Sequence, residues 1–199
     1  MNHPDWPAFL AAIIAEPDDD TPRLVAADFL EENGAADRAA FIRIQIALVN
    51  GQRPPQGHRP VDCCPPEAEE LKRRERAYLD LRSTYAPVWA AEECAELVRG
   101  APSTGAGADR LVWRRGFVER VYCTVSEWLQ HGTAIRSRNP VRELALYAGS
   151  AYPNTWEGGL AALQGLASVD FYPSYTQDGA PRLRWLRAQL PGTRVGVGG

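Results

Sequence analysis

Residues 119–124 read ERVYCT, alternating polar and apolar side chains, and three later stretches repeat the phase: ELALY at 143–147, SVDFY at 168–172 and RVGVG at 194–198. A period of two marks a strand with one buried face. The leading apolar members are Val121, Leu144, Val169 and Val195, at steps of 23, 25 and 26 residues. Between the strands lie segments with helical spacing. SEWLQHGTAIRSRN carries Trp128, Leu129 and Ile135; WEGGLAALQGL carries Leu160, Leu163 and Leu166; PRLRWLRAQLPG carries Leu183, Leu186 and Leu190. Strands joined by such crossovers form a parallel sheet, so the second half reads as a β/α domain.

If Val121, Leu144 and Val169 face the core, the opposite face carries Arg120, Tyr122 and Thr124, then Glu143, Ala145 and Tyr147, then Ser168, Asp170 and Tyr172. From these, Arg120, Tyr122, Glu143, Tyr147, Asp170 and Tyr172 are the candidate partner-binding residues. Tyr147 and Tyr172 fall in register, and tyrosine buries much area at an interface for little entropy. The same tyrosines read equally as amphipathic surface residues packed on the segment YPSYTQDGAP. Upstream, RLVWRRGFVERVYCTV places Arg115-Gly116 as a turn between two short strands. The strand-plus-helix period resembles degenerate leucine-rich repeats, without their asparagine or cysteine ladder. That resemblance implies a short solenoid with an exposed strand face; a small α/β sheet without solenoid curvature is the alternative.

The first half reads as helical. DWPAFLAAIIAEP opens at Asp5 and Trp6-Pro7, carries Phe9, Leu10, Ile13 and Ile14, and stops at Pro17. In PDDDTPRLVAADFLEENG, residues 17–34, Thr21 is the expected N-cap and Pro22 the first helical residue, with Asn33-Gly34 as the stop. Asp18, Asp19 and Asp20 lie where a helix dipole favours anions. They lack the alternating ligands, glycine turn and closing glutamate of a calcium loop. The next helix runs from Asp37 to Asn50-Gly51, and Asp28 with Arg43 is an expected buried or half-buried interhelical ion pair.

The series Asp19, Asp20, Thr21, Pro22, Arg23, Leu24, Ala27, Asp28, Phe29, Leu30, Glu31, Glu32, Gly34, Arg38, Ala39, Phe41, Ile42, Arg43 and Gln45 resembles the short repeat-companion domain of many planctomycete proteins. The match covers about the first quarter of the chain. The resemblance implies an architecture, a helical domain beside repeats, and no particular chemistry. The glycine-rich connection GAPSTGAGA at 100–108 marks the domain boundary, which gives an expectation of 1–100 helical and 101–199 β/α.

Residues 51–66, GQRPPQGHRPVDCCPP, read as a loop. A charged helix follows, with Pro87 expected to interrupt it before VWAAEECAELVRG. His58, Cys63 and Cys64 are the one metal candidate, but adjacent cysteines chelate a single ion poorly, so loop thiols are expected and no metal. Lys72, Arg73, Arg74 and Arg76 alternate with glutamates, as on a solvated helix with Glu69–Arg73 and Glu70–Arg74 pairs.

The net charge is −3, and residues 1–36 hold eight acids and one base, Arg23. No apolar run reaches membrane-spanning length, and MNHPDWPAFL lacks a signal peptide's basic start, so a cytoplasmic protein is expected. The four cysteines make no disulfide framework at 199 residues. Neither a phosphate loop nor a nucleophile elbow is present, and the three histidines, His3, His58 and His131, have no catalytic setting. The expectation is a non-enzymatic protein–protein interaction module without cofactor, its helical domain capping a repeat domain whose strand face binds a partner protein. A nucleic-acid regulator using Arg73, Arg74, Arg76, Arg114 and Arg115 is the second reading, and a metal protein or enzyme the third.

Overall fold

The computed structural model describes residues 3–50, 66–98, 110–148, 157–173 and 180–198. The expected linker 101–108 and the loop with His58, Cys63 and Cys64 lie outside them. The chain divides into two compact units: Met1–Val88 with Arg114–Phe117, and Trp89–Trp113 with Val118–Gly199.

In the first unit, α1 (Trp6–Ala15), α2 (Thr21–Glu32) and α3 (Ala36–Asn50) share a core that includes Trp6, Leu10, Ile13, Leu30, Ile42 and Phe117. Helix α2 starts one residue earlier than expected, so Thr21 is its first residue and not its cap. Asp19 does the capping: its carboxylate accepts the Thr21 N–H at 2.8 Å. That bond holds the Asp19 carboxyl below its usual range. Gly34 closes α2 at φ 83°, a left-handed position that glycine takes without steric cost. The inward face of α2 is Arg23, Ala26, Ala27 and Leu30, while Leu24 and Val25 are exposed.

Helix α4 (Pro66–Glu93) runs straight through Pro87, against expectation. A proline inside a helix costs ~3 kcal/mol. Buried Ala86, Trp89 and Ala90 flank it and offset that cost by removing apolar surface from water. The helix yields at Cys94 instead, before the short α5 (Ala95–Val98). On its first-unit stretch, Tyr78 stacks on Phe41 of α3 with centroids 5.6 Å apart.

The first unit also holds the turn Arg114–Phe117. Arg115 and Gly116 both have positive φ, 50° and 87°, the signature of a type I′ hairpin turn. Each turn residue meets a dedicated group. Arg115 lies 3.7 Å from the Asp20 carboxylate and 4.0 Å from that of Asp18, and donates to the Asp18 carbonyl at 3.3 Å. The Gly116 N–H donates to the Gln45 side-chain oxygen at 2.5 Å. Phe117 stacks against Trp6 at 6.4 Å, with the guanidinium carbons of Arg23 and Arg38 at 5.9 and 5.6 Å from its ring centre.

Apart from Arg114 and Phe117, which belong to the first unit, the second unit carries five strands in the order β1-β2-β3-β4-β5: β1 (Leu111–Arg114), β2 (Phe117–Thr124), β3 (Glu143–Tyr147), β4 (Ser168–Tyr172) and β5 (Arg194–Val197). A two-residue reversal makes β1 and β2 antiparallel neighbours. From β2 to β5 every pairing is parallel, and Val121, Leu144, Val169 and Val195 are register partners, one row across four strands. The connections are α6 (Val125–Arg136), a 3-10 helix (Glu157–Ala162) and α7 (Ala180–Gln189). The middle one is thus tighter than the α-helix its leucines suggest; WEGGL puts two glycines, poor α-helix formers, in its short run.

The inward row of Val121, Cys123, Leu144, Leu146, Val169 and Phe171 is buried, as are Trp128, Ile135, Leu163, Leu166 and Leu186 on the connections. Trp128 fits because position 132 is glycine; a Cβ there would stand 2.7 Å from the indole. Its ring N–H donates to the Ala162 carbonyl at 3.2 Å, tying α6 to the 3-10 helix. Helix α6 opens with a capping box: the Thr124 hydroxyl accepts the Glu127 N–H, and the Glu127 carboxylate accepts the Thr124 N–H at 2.7 Å. Among the described residues, no helix is long and apolar enough to cross a membrane.

Candidate functional site: the outer face of the sheet

Parallel pairing in this register places Arg120, Tyr122 and Thr124 beside Glu143, Ala145 and Tyr147, and these beside Ser168, Asp170 and Tyr172. The six candidate residues therefore share one sheet face. They form two groups.

Arg120 organises the first. Its guanidinium donates to Glu143 at 3.2 Å and to Asp170 at 2.9 Å, and lies 5.0 Å from the centre of the Tyr122 ring. Adjacent strands stand about 4.8 Å apart, so the side chain crosses β3 to reach β4. Ala145, on β3 between Tyr122 and Asp170, has no side chain long enough to obstruct that crossing. Ala145 and Ser168 were expected on an exposed face; both are buried, since small side chains in a sheet are covered by long neighbours. Arg120, Glu143 and Asp170 are themselves 18, 21 and 20% exposed. Partial burial works against the arginine's charge, but Tyr122, Glu143 and Asp170 outweigh it and raise its pKa above the ordinary value.

Tyr147 and Tyr172 form the second group. Their rings stack with centroids 4.9 Å apart and planes at 28°. Tyr147 is 43% exposed, whereas Tyr172 is half-buried. Gly198 continues the row: it donates its N–H to the Phe171 carbonyl at 3.0 Å, and a Cβ on it would overlap the Tyr172 ring. The RVGVG alternation marked a strand but held no sign that its last glycine is the shelf for a tyrosine. Residues 174–179 of the segment YPSYTQDGAP lie outside the described residues.

The remaining candidates are placed differently. Arg74 and Arg73 both pair with Glu70, the former at 2.8 Å, and Arg115 faces Asp18 and Asp20. The Asp28–Arg43 pair exists at 2.6 Å, with Glu31 at 2.8 Å; Arg43 is half-buried, but the Asp28 side chain is 68% exposed. The two helices meet through their small and apolar faces, which leaves these charges at the rim. Cys94 and Cys123 are free and buried, and burial pushes the Cys94 thiol up to about 12 and Cys123 higher still. Among the described residues, no group of three or more His, Cys, Asp or Glu is placed to hold a metal ion.

Comparison with family models, with curated proteins and with solved structures finds no match to this chain.

Proposed function

We propose that this chain is a non-enzymatic interaction protein whose outer sheet face, centred on Tyr147 and Tyr172, takes a protein partner. The observation that carries the reading is the stacked tyrosine pair in register on adjacent strands, with Tyr147 exposed and Tyr172 half-buried. Each ring fixes the other, so little side-chain entropy remains to be lost on binding. Arg120, Glu143 and Asp170 pair with one another and act as the frame around the tyrosines rather than as the partner's contacts.

In the same reading the second unit is a short run of leucine-rich-repeat-like β/α segments, and the first a repeat-companion domain. Sequential parallel strands at steps of 23, 25 and 26 residues support the former, and the intact PRL…RA-FIR-Q pattern on α2 and α3 the latter. Engagement of Arg73, Arg74 and Arg115 by acidic neighbours weighs against a phosphate-binding surface.

The test is affinity capture from nuclease-treated lysate with wild type and a folded Tyr147→Ala/Tyr172→Ala variant. A stoichiometric protein retained by wild type and lost by the variant supports the reading. Equal retention by both refutes the placement of the surface.

A further inference from the structure

The first unit seats one short piece of chain, the turn Arg115-Gly116-Phe117, through side chains whose chemistry fits it residue by residue. We propose that α1, α2 and α3 form a receptor for an Arg-Gly-Phe type I′ turn, occupied here by the chain's own residues 115–117 and competent to bind the same turn on a separate hairpin.

Three features of the seat read three features of the occupant. The carboxylates of Asp18 and Asp20 face the guanidinium of Arg115 at 4.0 and 3.7 Å. Gln45, buried on α3, accepts the Gly116 N–H, and a Cβ on Gly116 would stand 2.9 Å from the Ile42 Cα, so the position admits only glycine. Phe117 lies between Trp6 and the guanidinium groups of Arg23 and Arg38. A core packed for stability alone does not need this. Arg23, Arg38 and Gln45 are buried polar side chains of α2 and α3 that approach this turn; Arg23 also donates to the Asp19 carbonyl at 3.0 Å, and Arg38 also lies over the Phe41 ring. Burying an amide is costly unless it meets a partner, and the Gly116 N–H gives the Gln45 oxygen one. The seat discriminates through the carboxylates that face Arg115, the Gln45 oxygen that accepts the Gly116 N–H and the lack of room for a Cβ at Gly116.

A tethered occupant has an effective concentration of about millimolar, so the wild-type seat is closed to a free peptide. Charge reversal at the tip opens it. Arg115→Asp keeps the hairpin, because Asp-Gly is itself a favoured type I′ pair, but turns an anion toward Asp18 and Asp20. The probe is a fluorescent peptide carrying residues 111–120, cyclised by a terminal disulfide, titrated into the full chain and followed by anisotropy. The Arg115→Asp chain is expected to bind it roughly tenfold more tightly than wild type. A peptide with alanine in place of Phe117 is expected not to bind, nor is the parent peptide to bind when Gln45→Ala is added to Arg115→Asp. Phe117→Ala in the full chain empties the aromatic seat by a second route and is expected to give the same gain. If neither opened chain, with native helical circular dichroism, binds the peptide better than wild type, the proposal is overturned. Equal binding of the alanine peptide overturns it too.

Discussion

Gly34 and Gly116 have nearly the same backbone, φ 83° and 87°, in opposite surroundings. A Cβ on Gly34 meets nothing within 4 Å, whereas a Cβ on Gly116 overlaps the Ile42 side chain and stands 2.9 Å from its Cα. Replacing each by alanine therefore separates conformation from packing. Both substitutions carry the left-handed penalty of ~1–2 kcal/mol. Both also restrict the unfolded chain equally, a gain of about 0.4–1 kcal/mol that cancels in the comparison. Gly116→Ala alone adds overpacking against α3, roughly 1–3 kcal/mol. It further displaces the N–H from Gln45, about 1 kcal/mol for the lost bond. The expected losses are thus about 1 kcal/mol for Gly34→Ala and about 3–5 kcal/mol for Gly116→Ala. Urea unfolding followed by helical circular dichroism reads both. A difference under about 0.5 kcal/mol would refute the claim that the turn is seated against α3.

Other outcomes follow from the same geometry. At Glu127, burial alone would raise the carboxyl, but hydrogen bonds from Arg110 and Thr124 hold it below its usual range. A depressed folded pKa means its stabilisation is present above the unfolded value and lost as pH falls through the folded one, so Glu127→Gln is expected to flatten the acid limb of a stability–pH curve below about pH 4.5. Thr124→Val removes the capping hydroxyl and is expected to cost about 1 kcal/mol in thermal or urea unfolding. Peptide-level mass mapping after brief thiol labelling at pH 8 is expected to leave Cys94 and Cys123 unmodified until denaturant is added; fast native labelling would contradict their burial. A fragment of residues 109–199 lacks Trp89, Cys94, Glu96 and Leu97, which contact Trp113, Asn139, Arg138 and Arg110 within the second unit. It is expected to be at least ~3 kcal/mol less stable than residues 89–199, and equal stability would show that α5 contributes nothing.

Alternation made the sheet legible: the row Val121, Leu144, Val169, Val195 was written in the sequence and is the row that pairs. The outer face followed from it, because a strand's period of two fixes both faces at once. What alternation could not carry was side-chain reach. Nothing local in ERVYCT says that Arg120 passes over a neighbouring strand, since that depends on an alanine on the next one. Pro87 misled for the complementary reason: local propensity marks a break that burial on both sides overrides. The aspartate run was half read. Its capping role is local and visible, but its partner Arg115 comes from a turn far along the chain. Nothing local marks Arg23, Arg38 and Gln45 as buried, because Phe117 and Gly116, which meet them, enter from outside the helices.

Arg120 sits against Glu143 and Asp170, one cation held by two anions, and so this trio keeps a net charge of only about −1. Such a surface exerts little long-range pull. Encounter with a partner at the tyrosines would proceed at the unsteered rate of about 10⁵–10⁶ M⁻¹s⁻¹ and change little with ionic strength. Selectivity on this face would then be expressed in how long a complex lasts rather than in how fast it forms.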